Sequence, residues 1–176
     1  MMLTLWKQLQ SRWWISWPLD VIFIFVVIWG ISAWQTRDLL PTRGDIKIPN
    51  FELLALDGHT YPLLSTQNKP TLLYFFAPWC KICHLSISNL ENLRQVRPPQ
   101  ELTILLVALS WQEVAEVKAF MAKHRLTLPV LLGTAKVGKA YRIKGFPTYY
   151  VINAQGQVID KSMGYSTEWG LRWRTY

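Results

Sequence analysis

Four apolar runs of strand length are set apart by polar stretches. They are Thr71-Leu72-Leu73-Tyr74-Phe75-Phe76, Ile104-Leu105-Leu106-Val107-Ala108-Leu109, Pro129-Val130-Leu131-Leu132 and Thr148-Tyr149-Tyr150-Val151-Ile152. The first has no polar alternate positions, which predicts a strand covered on both faces. Between the first two, Ile82, Leu85, Ile87, Leu90 and Leu93 recur mostly at helical spacing, predicting a helix over residues 81–96 that Pro98-Pro99 ends. Ser110-Trp111-Gln112-Glu113 reads as a capping box opening a helix that reaches His124. A basic helical turn is expected over residues 135–142 and a short helix over 167–174. Two hairpins are signalled. One joins Phe51-Glu52-Leu53-Leu54-Ala55-Leu56 to Thr60-Tyr61-Pro62-Leu63 through Asp57-Gly58, and the other turns at Asn153-Ala154-Gln155-Gly156 into Gln157-Val158-Ile159-Asp160. Strands that alternate with helices and close on an antiparallel hairpin predict an α/β domain, a mixed central sheet flanked by helices.

The N-terminal pattern is of another kind. Over residues 13–34, a stretch of 22, Asp20 is the only charge. As a helix this stretch is about 33 Å long, enough to cross the hydrocarbon layer. Trp13, Trp14 and Trp17 stand at one end and Trp29 and Trp34 at the other, as in an interfacial aromatic belt. Pro18 and Asp20 suit a helix N-terminus. Lys7 and Arg12 precede the span, and Arg37 and Arg43 follow it, each with an Asp close by (Asp38, Asp45). The expectation is an uncleaved anchor with its N-terminus inside; a cleaved signal peptide ending at Ile31-Ser32-Ala33 is the rival. The chain then divides into a cytoplasmic tip and anchor (residues 1–36), a polar tether with Pro41 and Gly44 (37–45) and a folded domain (46–176).

Length and charge narrow this picture. The 176 residues have room for one ordinary domain and a short extra segment. Residues 35–176 carry 17 basic and 10 acidic side chains, a net of +7. Lys136, Lys139, Arg142 and Lys144 cluster at spacings that fit one side of a short helix, a solvated face or one near anionic lipid. No basic run interleaved with aromatics points to nucleic acid, and no nucleic-acid partner is expected.

The chemistry lies in Trp79-Cys80-Lys81-Ile82-Cys83, which holds both cysteines of the chain and follows directly on the first buried strand. Two thiols with this spacing at the start of a helix meet across one turn. Free N–H groups and the helix dipole favour a thiolate at the first, and Lys81 adds a positive charge beside it. The thiolate is what attacks a disulfide, so Cys80 is the expected nucleophile and the deeper Cys83 the resolving thiol. Trp79 is expected to cover one side of the pair.

Other readings fit less well. Zinc needs a second half-site, and His59, His84 and His124 do not supply a spaced pair, so no metal and no cofactor are expected. A static disulfide gains little from closing so short a loop. A peroxidase site favours Thr three residues before its cysteine, where Ala77 stands. Cu(I) binding by the two thiolates remains an alternative, with Met121 and Met163 distant in sequence. His84 is expected on a solvent-exposed helix face.

Gly145-Phe146-Pro147-Thr148 stands just before a strongly apolar strand. Together with Trp79, Cys80 and Cys83, the residues Phe146, Pro147 and Thr148 resemble the thioredoxin superfamily. That resemblance implies a cis-Pro147 loop packed against the dithiol, with Trp79, Lys81, Phe146, Pro147 and Thr148 supporting the site and binding substrate. About 65 residues separate Cys83 from Pro147, which fits an inserted strand–helix unit over residues 102–124. With Pro49-Asn50-Phe51-Glu52-Leu53, Asp57-Gly58 and Lys69-Pro70-Thr71-Leu72-Leu73, this spacing is similar to the TlpA/ResA-like membrane-anchored thiol-disulfide oxidoreductases, ScsD-like and DsbE-like members among them. The implied function is exchange on extracytoplasmic protein thiols and disulfides, at the outer side of a bacterial inner membrane, with a DsbD-like thiol transporter as redox partner and the bilayer held through residues 13–34. Apocytochrome c reduction is the alternative within the group. Two positions depart from the pattern. Tyr74 stands where thioredoxin has a buried Asp that takes the resolving thiol's proton, and Ser86 stands where cytochrome-maturation members often have a Glu.

Overall fold

A computed structural model describes residues 3–42, 48–64 and 68–176, with the side chains of residues 3–17 and 19 outside the description. The chain forms two compact units, Met1–Arg37 and Asp38–Tyr176. The first is one helix, α1 (Leu3–Thr36), in which Pro18 lies inside and not at the start. Its described part carries an apolar run from Val21 to Trp34 whose side chains are exposed. Among the described residues, no helix is long and apolar enough to cross a membrane. Of Lys7, Arg12, Trp13, Trp14 and Trp17 only the helical backbone is described, and Arg43, Gly44 and Asp45 of the expected tether lie outside the described residues.

The second unit is the expected α/β domain. Its elements are β1 (Glu52–Leu54), β2 (Thr60–Pro62), β3 (Thr71–Phe76), α2 (Lys81–Val96), β4 (Thr103–Ala108), α3 (Val114–His124), β5 (Val130–Leu132), α4 (Ala135–Ala140), β6 (Thr148–Ile152), β7 (Val158–Met163) and α5 (Glu168–Arg174). Five strands form one sheet in the order β5-β4-β3-β6-β7; β3, β4 and β5 are parallel, and β6 and β7 antiparallel. The wholly apolar β3 is central and entirely buried, as a strand with helices over both faces must be. The β1–β2 hairpin turns at Gly58, whose φ of 86° is costly for any residue with a Cβ. Leu56 N donates to Val130 O at 3.0 Å, so the hairpin shields the β5 edge.

Period two along the strands divides the core. Leu72, Tyr74 and Phe76 of β3 face α2, α3 and α5, together with Leu106 of β4 and Tyr149 of β6. Leu73 and Phe75 face α4 and the hairpin, with Val107 and Tyr150. Each fully buried Leu, Ile or Phe contributes roughly 1.5–3 kcal/mol. Leu39 and Leu40, expected in a polar tether, are buried in this second layer.

Three local expectations change. Ile82 and Leu85 are 44% and 69% exposed, because α2 is phased to bury Cys83, Ser86, Ile87, Leu90 and Leu93. The helix expected from Ser110 begins at Val114, and Glu113 at its N-cap makes no side-chain bond. Ser110 has a φ of 53°, in the left-handed region, and its carbonyl accepts from Trp79 Nε1, while Trp111 Nε1 donates to Gly133 O, so tertiary partners hold both residues in a loop outside the helix. Finally, α4 stops at Ala140, and Arg142 (φ 53°) and Lys144 lie beyond it; Lys144 pairs with Asp38 at 2.7 Å.

Candidate active site

The dithiol sits where β3 hands over to α2. Ala77-Pro78-Trp79 forms the turn, closed by Cys80 N donating to Ala77 O at 3.0 Å, and His84 N to Cys80 O at 3.1 Å is the first helical bond. Cys80 is the N-cap of α2 through its sulfur: Sγ accepts from Cys83 N at 3.2 Å. A helix start leaves N–H groups without intrahelical partners, and the Cys80 sulfur accepts from one of them. Both cysteines are free thiols.

On its other side Cys80 meets the loop before β6. The Phe146–Pro147 peptide is cis, and Cys80 Sγ lies 3.6 Å from Phe146 O, the acceptor of its proton. Thr148 Oγ1 donates to Gly145 O at 2.8 Å and ties the loop to itself, and Gly164 N donates to Pro147 O at 2.8 Å. Trp79 stands edge-on to Phe146, with ring centroids 5.8 Å apart, and remains 64% exposed. Lys81 is exposed at the first position of α2. The structure therefore brings Trp79, Cys80, Phe146, Pro147 and Thr148 together, although about 65 residues lie between the two motifs.

Cys80 retains 6% exposure and Cys83 none. Burial pushes the Cys83 thiol well above its ordinary value, the neighbouring Cys80 adds to this, and Tyr74, whose hydroxyl can donate to the charged sulfur, works against it. Burial likewise raises the Tyr74 and Tyr149 hydroxyls. The Tyr74 hydroxyl lies 2.9 Å from Ser86 Oγ. The two positions that lack carboxylates are thus in direct contact with each other, next to Cys83.

Two features escaped the sequence reading. His84 is half-buried, not solvent-exposed: it packs against Phe120 and its Nδ1 lies 2.6 Å from His124 Nε2, joining the start of α2 to the end of α3. Helical phase around Cys83 carries no signal for a contact 40 residues away. Tyr149 stands opposite Tyr74 in the β3–β6 register and brings a second hydroxyl beneath the dithiol. Its signal was the pair Tyr149-Tyr150, because period two sends one of two adjacent tyrosines to each face. Among the described residues, no group of three or more His, Cys, Asp or Glu side chains is placed to hold a metal.

A mixed sheet whose central strand leads into a dithiol-capped helix, with a cis-prolyl loop against the outer sulfur, is the thioredoxin-like fold. The chain belongs to the AhpC/TSA family, matched over residues 45–161, and is a ResA/DsbE-like member of the thioredoxin superfamily. The thioredoxin-like protein YneN of Bacillus subtilis is 26% identical to it over 157 residues, which cover 88% of this chain and 92% of YneN. The thiol-disulfide oxidoreductase ResA of the same organism is 30% identical over 121 residues, covering 68% of this chain and 67% of ResA. A solved structure, the exposed lipoprotein thioredoxin Etrx1 of Streptococcus pneumoniae, superposes with a TM-score of 0.63 at 26% identity, covering 71% of this chain and 96% of that one. The activity is that of a protein-disulfide oxidoreductase.

Proposed function

We propose that this oxidoreductase is tethered to the bacterial inner membrane and exchanges disulfides of extracytoplasmic proteins through Cys80 and Cys83. The observation that carries the reading is the position of Cys80 Sγ, between the Cys83 N–H at the start of α2 and the Phe146 carbonyl beside cis-Pro147. A sulfur there stands at a helix N-terminus and lies next to an extended backbone that accepts a substrate strand. Pro147 O is already bonded by Gly164 N, so β-type pairing falls to Phe146, with Trp79 and Thr148 flanking it. Cys80 attacks the substrate disulfide, and Cys83 then attacks Cys80 and releases the reduced substrate.

The anchor rests on residues 13–34, with one charge and tryptophans at both ends. The extracytoplasmic side is favoured by the exposed lipoprotein thioredoxin that the domain resembles. On that side the dithiol is recharged by a membrane thiol transporter of the DsbD-like kind.

The test uses the full-length chain in membranes. Cys80→Ser abolishes reduction of a protein disulfide, and Cys83→Ser accumulates a mixed disulfide through Cys80. Exchange that survives Cys80→Ser sinks the assignment. Protease added outside spheroplasts should digest residues 46–176 and spare the tip; protection of the domain overturns the orientation.

A further inference from the structure

Under the dithiol lie three hydroxyls to which the exchange cycle described so far gives no task. Tyr74 on β3 and Ser86 on α2 are fully buried, with their oxygens 2.9 Å apart. Ser86 Oγ is also 3.5 Å from the Cys83 carbonyl, a long and weak bond. Tyr149 is 2% exposed, its ring centroid is 5.0 Å from that of Tyr74, and its hydroxyl has no hydrogen-bond partner among the described residues. A buried hydroxyl without a partner carries a desolvation cost that phenylalanine at the same place avoids.

The resolving step needs Cys83 as a thiolate in a site whose burial opposes the charge. Tyr74, Tyr149, Cys80 and Cys83 share one buried cluster, Ser86 Oγ joins the Tyr74 hydroxyl to the Cys83 carbonyl, and Tyr74 is a side chain that favours the charged form of Cys83. Resting on the roles assigned above to Cys80 and Cys83, we propose that Tyr74, oriented by Ser86, is a catalytic residue of the resolving half-reaction, its hydroxyl donating to Cys83 Sγ as the thiolate forms, with the Tyr149 hydroxyl as second donor. At rest Tyr74 donates to Ser86, and Ser86 donates weakly to the Cys83 carbonyl. When the thiolate forms, Ser86 turns its proton to Tyr74, and Tyr74 turns its own to the sulfur. The change takes two hydroxyl rotations and no proton transfer along the chain.

The step balances. A lone pair of Cys83 Sγ forms the bond to Cys80 Sγ. The bond from Cys80 to the substrate sulfur breaks, and its electron pair leaves with that sulfur. The dithiol is oxidised by two electrons and the substrate disulfide reduced by two. The proton given up by Cys83 ends on the departing substrate sulfur, which leaves from Cys80 Sγ beside it.

The test follows single turnovers of the full-length chain in detergent with insulin, from mildly acid to alkaline pH. Tyr74→Phe should slow the resolving step about tenfold at neutral pH, the effect of one hydrogen bond to a charged group. Its pH midpoint should move upward, and formation of the mixed disulfide should keep its rate. Ser86→Ala should give a smaller fall, and Tyr74→Phe/Ser86→Ala no more than Tyr74→Phe alone, because Ser86 acts through Tyr74. Should Tyr74→Phe fail to fold, Ser86→Ala carries the same readout with both rings in place. Cys83→Ser separates the two levels of the argument. If it traps no mixed disulfide, the roles of the cysteines are wrong whatever Tyr74 does. If it traps one, while Tyr74→Phe resolves at the wild-type rate with an unshifted profile, the hydroxyl proposal is overturned.

Discussion

The two faces of the central sheet bury the same kind of side chain to different ends. On the face away from the dithiol, the hydroxyls of the two buried tyrosines finish on backbone. Tyr150 donates to Tyr141 O at 2.7 Å and accepts from Leu40 N at 3.2 Å, and Tyr141 donates to Pro49 O at 2.7 Å. These bonds fasten the N-terminal segment of the domain to the sheet. On the dithiol face, among the described residues, the Tyr74 hydroxyl bonds a serine hydroxyl that can turn, and the Tyr149 hydroxyl has no hydrogen-bond partner. Saturated hydroxyls make architecture, because every rotation away from a fixed backbone partner loses a bond. Hydroxyls with movable partners can answer a charge that appears and disappears.

Alkaline pH tests both faces at once and should have the largest effect. Burial raises Cys83, Tyr74 and Tyr149 on one face, and Tyr141 and Tyr150 on the other, Tyr150 to about 12. The native state then keeps protons that the unfolded chain releases, so stability is full below the ordinary thiol value near 9 and falls as pH rises above it. Cys83→Ser should delay the onset of that fall to the phenol range near 10. Denaturant titrations across this range measure it, and an onset unmoved by the substitution contradicts the burial argument.

A hydroxyl deletion on each face comes next. Tyr150→Phe leaves the Tyr141 carbonyl and the Leu40 N–H without partners in the core and should cost about 2 kcal/mol, with exchange unchanged. Tyr149→Phe removes a hydroxyl that has no hydrogen-bond partner among the described residues and should leave stability within about 0.5 kcal/mol of wild type, while the resolving step slows. Equal losses from both substitutions would erase the distinction between the faces.

The smallest effect belongs to the His84–His124 contact. Partial burial, then His84 and Lys123, lower His124 below its ordinary 6.5. The unfolded chain therefore binds a proton first, and the contribution is present above 6.5 and lost as pH falls through the native value. His124→Gln should flatten a shallow acid decline. A decline that is unchanged in the variant assigns the acid sensitivity to other groups.

Residue patterns show much of this molecule before any coordinates. Phe75 and its neighbours announce a doubly covered strand, Gly58 a turn, and Cys80 and Cys83 a dithiol on a helix start, because each depends on positions a few residues apart. Other features are hidden in the chain. Leu39 and Leu40 read as tether but are core, Ser110 reads as a cap but is held by Trp79, and Leu85 reads as core but faces out.

Local spacing thus determines the strands, the helices and the chemistry of the sulfur pair, since backbone period and helix-end polarity act over one or two turns. Tertiary packing alone decides that Phe146 meets Cys80, that His84 finds His124, and that Tyr74, Ser86 and Tyr149 gather under Cys83. Those contacts join residues far apart in the chain, and they form only when helices close over the sheet and shut water out.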